Sequence, residues 1–102
     1  MYNVQYLPIA QNDLLGIAQY ISSELGNAEA AIRLTENIIR KTDVLGEFPY
    51  SCPVYVPIRQ TKNEYRKLRV DNYLVFYSVN EKEKTVTVMR IIYARRDFEK
   101  LL

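Results

Sequence analysis

The sequence predicts an α+β fold: a helical hairpin packed on a small antiparallel sheet, with the elements in the order β-α-α-β-β-β. Three observations predict it. Two stretches in the first half repeat their apolar residues at helical spacing. Only the short Gly26-Asn27 step separates them. Three stretches in the second half are rich in β-branched and aromatic residues and are punctuated by polar turns.

Residues 2–7 alternate large and polar side chains with the period of a short strand. Pro8 stops that strand and suits the first turn of a helix, where a missing N–H costs nothing. Leu14, Ile17, Ile21 and Leu25 then share one helical stripe, so a first helix is expected over about residues 8–24. Gly26 can take the left-handed conformation that ends it, and Asn27 can cap the next helix. In the second helix Ala31, Leu34, Ile38, Thr42 and Leu45 form the stripe, and Gly46 and Pro49 stop it near residue 46. The short connection makes the pair an antiparallel hairpin, with Leu14, Ile17, Ile21, Leu34 and Ile38 expected in the core.

Residues 47–63 contain Pro49, Pro53 and Pro57 and show no clear period, which reads as a long loop with extended pieces. Strands follow over residues 65–70, 73–79 and 85–93, joined by the hairpin signal Asp71-Asn72 and a longer polar turn over residues 80–84. Residues 94–102 read as a tail or a final helical turn. Neither the helical stripes nor one face of the meander can stay in water, so packing the hairpin across the sheet satisfies both.

A chain of 102 residues, 48% hydrophobic and 25% charged, has the balance of one ordinary globular domain spanning residues 1–102. Such a chain folds without metal or disulfide, and its single cysteine, Cys52, reads as a small packing residue. The absence of histidine removes the usual base for a cysteine nucleophile and the commonest metal ligand. No Gly-rich phosphate loop is present, and no cofactor is expected. No apolar stretch approaches the roughly 20 residues that span a bilayer, and the first residues lack the pattern of a secretory signal, so the expected location is the cytoplasm, away from membranes.

Charge is unevenly distributed. Residues 1–50 carry three Lys and Arg against six Asp and Glu, net −3, whereas residues 51–102 carry eleven against six, net +5. This asymmetry points to an anionic partner for the second half. The densest cluster is Arg59, Lys62, Arg66, Lys67 and Arg69, interleaved with Tyr55, Tyr65, Tyr73 and Tyr77. Cations beside aromatic faces suit RNA or an acidic groove, although edge strands also carry Lys and Arg simply to avoid aggregation. Arg90, Arg95 and Arg96 form a second group of guanidinium forks, suited to phosphate or carboxylate. Arg90 stands alone in an apolar run and needs a partner if its face is buried.

Taken in order, these segments resemble the RelE/ParE superfamily of toxins over nearly the whole chain. The resemblance rests on the opening strand, on Pro8-Ile9-Ala10-Gln11-Asn12-Asp13-Leu14 at the start of the hairpin, and on Glu47-Phe48-Pro49. It rests above all on residues 65–77, YRKLRVDNYLVFY, and the closing RIIYARRD of residues 90–97. It implies the toxin of a bacterial type II toxin-antitoxin, or plasmid stabilisation, system: a growth inhibitor silenced by a cognate antitoxin, which alone contacts operator DNA.

Two branches of the family differ in target. ParE-like members inhibit DNA gyrase without hydrolysing nucleic acid, and RelE-like members cleave mRNA on the ribosome. Lys67, Arg69 and Arg96 match basic positions of the nuclease branch, and Tyr93 stands where a histidine is common. Leu74, however, occupies a position where that branch carries an arginine, and its C-terminal tyrosine has no counterpart before Leu102. A phenol with an ordinary pKa near 10 is also a poor base at neutral pH. The resemblance therefore leans to ParE-like action on gyrase, with an mRNA endoribonuclease as the alternative and a non-toxic, antitoxin-binding protein as a third. Arg59, Lys62, Arg66, Lys67, Arg69, Arg90, Arg95 and Arg96 are the expected contacts for antitoxin or an anionic target. Lys67, Arg69, Arg96 and Tyr93 are the set to test for catalysis.

Overall fold

The structure, a computed structural model, describes residues 1–56 and 64–102. Strand β1 (Asn3–Tyr6) leads into helix α1 (Pro8–Gln19), a π-helical turn (Tyr20–Glu24) and helix α2 (Ala28–Asp43), which a 3₁₀ turn (Val44–Gly46) finishes. The meander β2 (Arg66–Val70), β3 (Tyr73–Asn80) and β4 (Thr85–Tyr93) follows, then a C-terminal 3₁₀ turn (Phe98–Leu101). The element order matches the expected β-α-α-β-β-β.

Local signals act as anticipated in the hairpin. Gly26 adopts φ +62°, and the Asn27 side chain accepts a hydrogen bond from the Ala30 N–H at 3.0 Å. Helix α1 does not stay regular to residue 24. Its last turn widens, with the Leu25 N–H bonded to the Tyr20 carbonyl five residues back.

The sheet order is β1-β4-β3-β2. The meander is antiparallel as expected, but β1 joins β4 in parallel, so the sheet is mixed. The reason is directional: the hairpin returns the chain to the end of the sheet from which β1 started, where the Tyr2 N–H donates to the Gly46 carbonyl at 2.7 Å. β2 therefore runs with β1, and two further reversals leave β4 running that way too. Between β3 and β4 the register shifts at Phe76/Tyr77, where Phe76 faces Arg90 and Tyr77 faces Val88, leaving Met89 as an extra residue.

The helices cover one face, α1 over β4 and α2 over β2. Ala10, Ile38, Val70, Val75, Val88 and Ile91 are buried between the layers. Of the five expected core residues, Ile38 is wholly buried, while Leu14, Ile17 and Leu34 are half-buried against that core. Ile21 is half-buried, and Leu25 on the same stripe is exposed. The stripe of α1 is thus only partly covered, because the end of the hairpin stands off the sheet. The opposite face is covered as well: Leu74, Phe76 and Ile92 pack beneath Tyr55, Phe98, Leu101 and Leu102.

Candidate functional site

Two regions carry the chemistry, one on each face of the sheet. On the outer face Lys67 stands opposite Phe76 and Arg69 opposite Leu74. The Lys67 ammonium lies 4.7 Å from the centre of the Tyr55 ring and 6.0 Å from that of Phe98, a cation held by aromatic faces at the margin of the C-terminal turn. Arg69 is exposed, and its Nε donates to the Asp71 carbonyl at 2.9 Å. The Tyr55 hydroxyl donates to Glu99, and burial together with that bond pushes its pKa up to about 12.

On the helix side, the standing-off end of the hairpin leaves a groove of about 840 Å³ between the π-helical turn and the ends of β3 and β4. Tyr20, Ile21, Leu25, Tyr73, Tyr93 and Arg96 are among the residues that line it. The rings of Tyr73 and Tyr93 meet at 5.5 Å. The Tyr73 hydroxyl is held above its ordinary range by burial and by the neighbouring phenols of Tyr93 and Tyr20, so it stays protonated at neutral pH. Arg95 and Arg96 are both exposed.

Between the two regions sits Arg90. Its Nε and Nη2 donate to the two oxygens of Asp13 at 2.8 and 3.0 Å. Its Nη1 donates to the Leu101 carbonyl at 2.9 Å. The carboxylate of Asp13 raises the guanidinium's already high pKa. Asp13 also accepts the Ile91 N–H at 2.9 Å, a strand donor beyond Val88, where β1 no longer pairs with β4. The expected partner requirement of Arg90 is met inside the molecule.

Among the described residues, the expected site residues therefore do not converge. Arg59 and Lys62 lie outside the described residues. Arg66 is engaged: its Nη1 donates to the Cys52 carbonyl at 2.6 Å and its guanidinium lies 4.9 Å from the centre of the Tyr50 ring. Lys67 and Arg69 lie on the outer face, Tyr93 and Arg96 on the groove. Sequence reasoning missed Asp13 as a partner, although a signal existed: it is the only charged residue of α1, as Arg90 is of β4. Among the described residues, no group of three or more His, Cys, Asp or Glu gathers as a metal site, and no helix is long and apolar enough to cross a membrane.

The family model for the ParE toxin of the type II toxin-antitoxin system, parDE, matches residues 4–98. The chain belongs to the ParE toxin family. Its fold resembles that in the chromosomal ParDE toxin-antitoxin system from P. aeruginosa, with a TM-score of 0.74 at 18% identity over 93% of this chain and 98% of that one. The RelBE2 toxin-antitoxin complex from Mycobacterium tuberculosis gives 0.65 at 17% identity over 90% and 96%. The archaeal RelE–RelB complex from Pyrococcus horikoshii OT3 gives 0.60 at 19% identity over 93% and 97%. No curated protein sequence matches. This ParE-family chain thus shares its fold with RelE-type toxins, at identities that speak for the fold alone. Its motifs over residues 65–77 and 90–97 form the meander and the segment just after it.

Proposed function

We propose that this ParE-family toxin acts by binding rather than by cutting RNA, and that it stops growth by inhibiting DNA gyrase in the cytoplasm while a cognate antitoxin keeps it silent. One observation carries this reading. The four residues a ribonuclease would recruit are divided between opposite faces of the sheet, Lys67 and Arg69 on the outer face and Tyr93 and Arg96 on the groove.

Cleavage through a ribose 2′-hydroxyl needs a proton acceptor, a proton donor and a cation within hydrogen-bond reach of one phosphate. A set split across a sheet does not supply them together. Leu74, at the position where a further cation would stand, is 4% exposed and packed in the outer cluster. Loss of a group that stabilises transition-state charge costs on the order of 10²–10³ in rate. Antitoxin binding is supported by the net +5 of residues 51–102 and by the toxin-antitoxin pairings of the similar structures. Operator DNA is contacted only through the antitoxin.

A paired assay tests the proposal on protein freed of antitoxin: gyrase supercoiling, and primer extension on message after induction. The expected result is inhibited supercoiling with intact message. Discrete ribosome-dependent cuts that vanish in Arg96→Ala or Tyr93→Phe overturn it, and silence in both assays with antitoxin binding retained identifies a binding protein without this toxicity.

A further inference from the structure

We propose that Arg90 is a latch worked from both sides of the sheet: Asp13 on α1 holds its guanidinium in the orientation from which Nη1 fixes the C-terminal turn. The position of α1 at the groove then decides whether the outer face stays covered. This goes beyond the choice of target and does not depend on it.

The geometry is asymmetric in a useful way. Two of the guanidinium nitrogens are committed to the Asp13 carboxylate and the third to the Leu101 carbonyl. A rigid planar fork cannot turn toward one partner without leaving the other. Asp13 and Arg90 both line the groove, whereas Leu101 packs on the outer face with Phe98 against Phe76, Leu74 and Ile92. The turn is short, Phe98–Leu101, and a turn of that length has little stability of its own. Its attachment is therefore tertiary: the ring of Phe98 lies 5.4 Å from that of Phe76, the Tyr55 hydroxyl donates to Glu99, the Tyr65 hydroxyl donates to the Leu102 carbonyl at 3.4 Å, and Arg90 supplies the charged hydrogen bond that reaches the turn from β4. Lifting the turn uncovers Leu74, Phe76 and Ile92 beside Lys67, an apolar surface with a cationic margin.

Amide hydrogen exchange on the full chain tests the latch. The Phe98 and Lys100 N–H groups, bonded to the Arg96 and Asp97 carbonyls within the tail, report its opening, and the β3 amides report whether the core stays folded. Asp13→Asn is expected to speed tail exchange roughly tenfold or more, the scale of a lost charged hydrogen bond, while the β3 amides remain slower than the tail. In an Arg90→Met background the same Asp13→Asn change is expected to add nothing, because the two residues act through one another. Should Asp13→Asn not fold, Arg90→Lys serves: a point charge can keep Asp13 but lacks the fork that also reaches Leu101, so the tail loosens and the α1 amides do not. Unchanged tail exchange in Asp13→Asn, or in Arg90→Lys where that variant stands in, overturns the latch. So does an equal effect of Asp13→Asn with and without Arg90.

Discussion

Asp13 and Arg90, 77 residues apart, form a bidentate ion pair whose side chains are only 14% and 16% exposed. Each is the sole charged residue of its element, so the pair ties α1 to β4 where β1 has ended. Breaking a buried pair leaves one charge without compensation, whereas replacing both partners does not. Arg90→Met is expected to cost about 3–5 kcal/mol, and Asp13→Leu combined with Arg90→Met markedly less than the sum of the single changes. Urea denaturation of the four proteins in the cycle measures this, and additive losses would show that the two residues stabilise the fold independently.

Gly46 and Gly16 should respond to alanine in opposite directions. A Cβ at Gly46 meets the Tyr2 carbonyl oxygen at 2.9 Å and Val4 Cγ2 at 3.4 Å. The first is backbone, bonded nearby through Tyr2 N–H to the Gly46 carbonyl at 2.7 Å, and cannot swing aside. Gly46→Ala is expected to destabilise by about 1–3 kcal/mol, the range of an overpacked site. At Gly16, inside α1, nothing lies within 4 Å of the added carbon, and Gly16→Ala is expected to stabilise by about 0.4–1 kcal/mol. Thermal melts of the two variants decide both signs.

Glu81 predicts an acid-sensitive contribution to stability. Lys84 at 2.7 Å, the Tyr2 hydroxyl at 2.6 Å and the Tyr50 hydroxyl hold this exposed carboxylate at a pKa of about 2, below its ordinary 4.5. A depressed folded-state pKa stabilises the fold above about pH 4.5 and loses that contribution as the pH falls toward 2. The melting temperature of the wild type is therefore expected to exceed that of Glu81→Gln at pH 6 and to converge with it on acidification. A constant gap across that window would mean the difference is not the carboxylate's charge.

The exposed arginines should govern encounter with an acidic antitoxin segment. Arg69 and Arg96 project into solvent, whereas Arg66 is spent on the Cys52 carbonyl and the Tyr50 ring. Arg69→Glu with Arg96→Glu is expected to slow association and flatten its salt dependence while leaving the melting temperature nearly unchanged. Arg66→Glu is expected to lower the melting temperature as well. Association rates that are unaltered at both low and high salt would place Arg69 and Arg96 outside the interface.

How much was legible divides by the range of the interaction. Elements set by local chemistry could be read from the sequence: the start of α1 at Pro8, the left-handed Gly26, the Asn27 cap and the Asp71-Asn72 turn depend on neighbours a few residues away. The family motifs of the meander could be read for the same reason. The phase of β4 could not. Strict alternation from Val86 and Val88 would turn Arg90 toward the helices, and only the register shift opposite Phe76/Tyr77 resets it so that Ile91 points inward instead. Nor could the parallel pairing of β1 with β4, which depends on where the chain returns after the hairpin. The split of Lys67 and Arg69 from Tyr93 and Arg96 is equally tertiary: sequence lists the cations, but the face each one occupies is set by pleat, bulge and layer packing. The same holds for Asp13 and Arg90, whose composition announces two lone charges and whose pairing exists only once α1 lies across the open edge of β4.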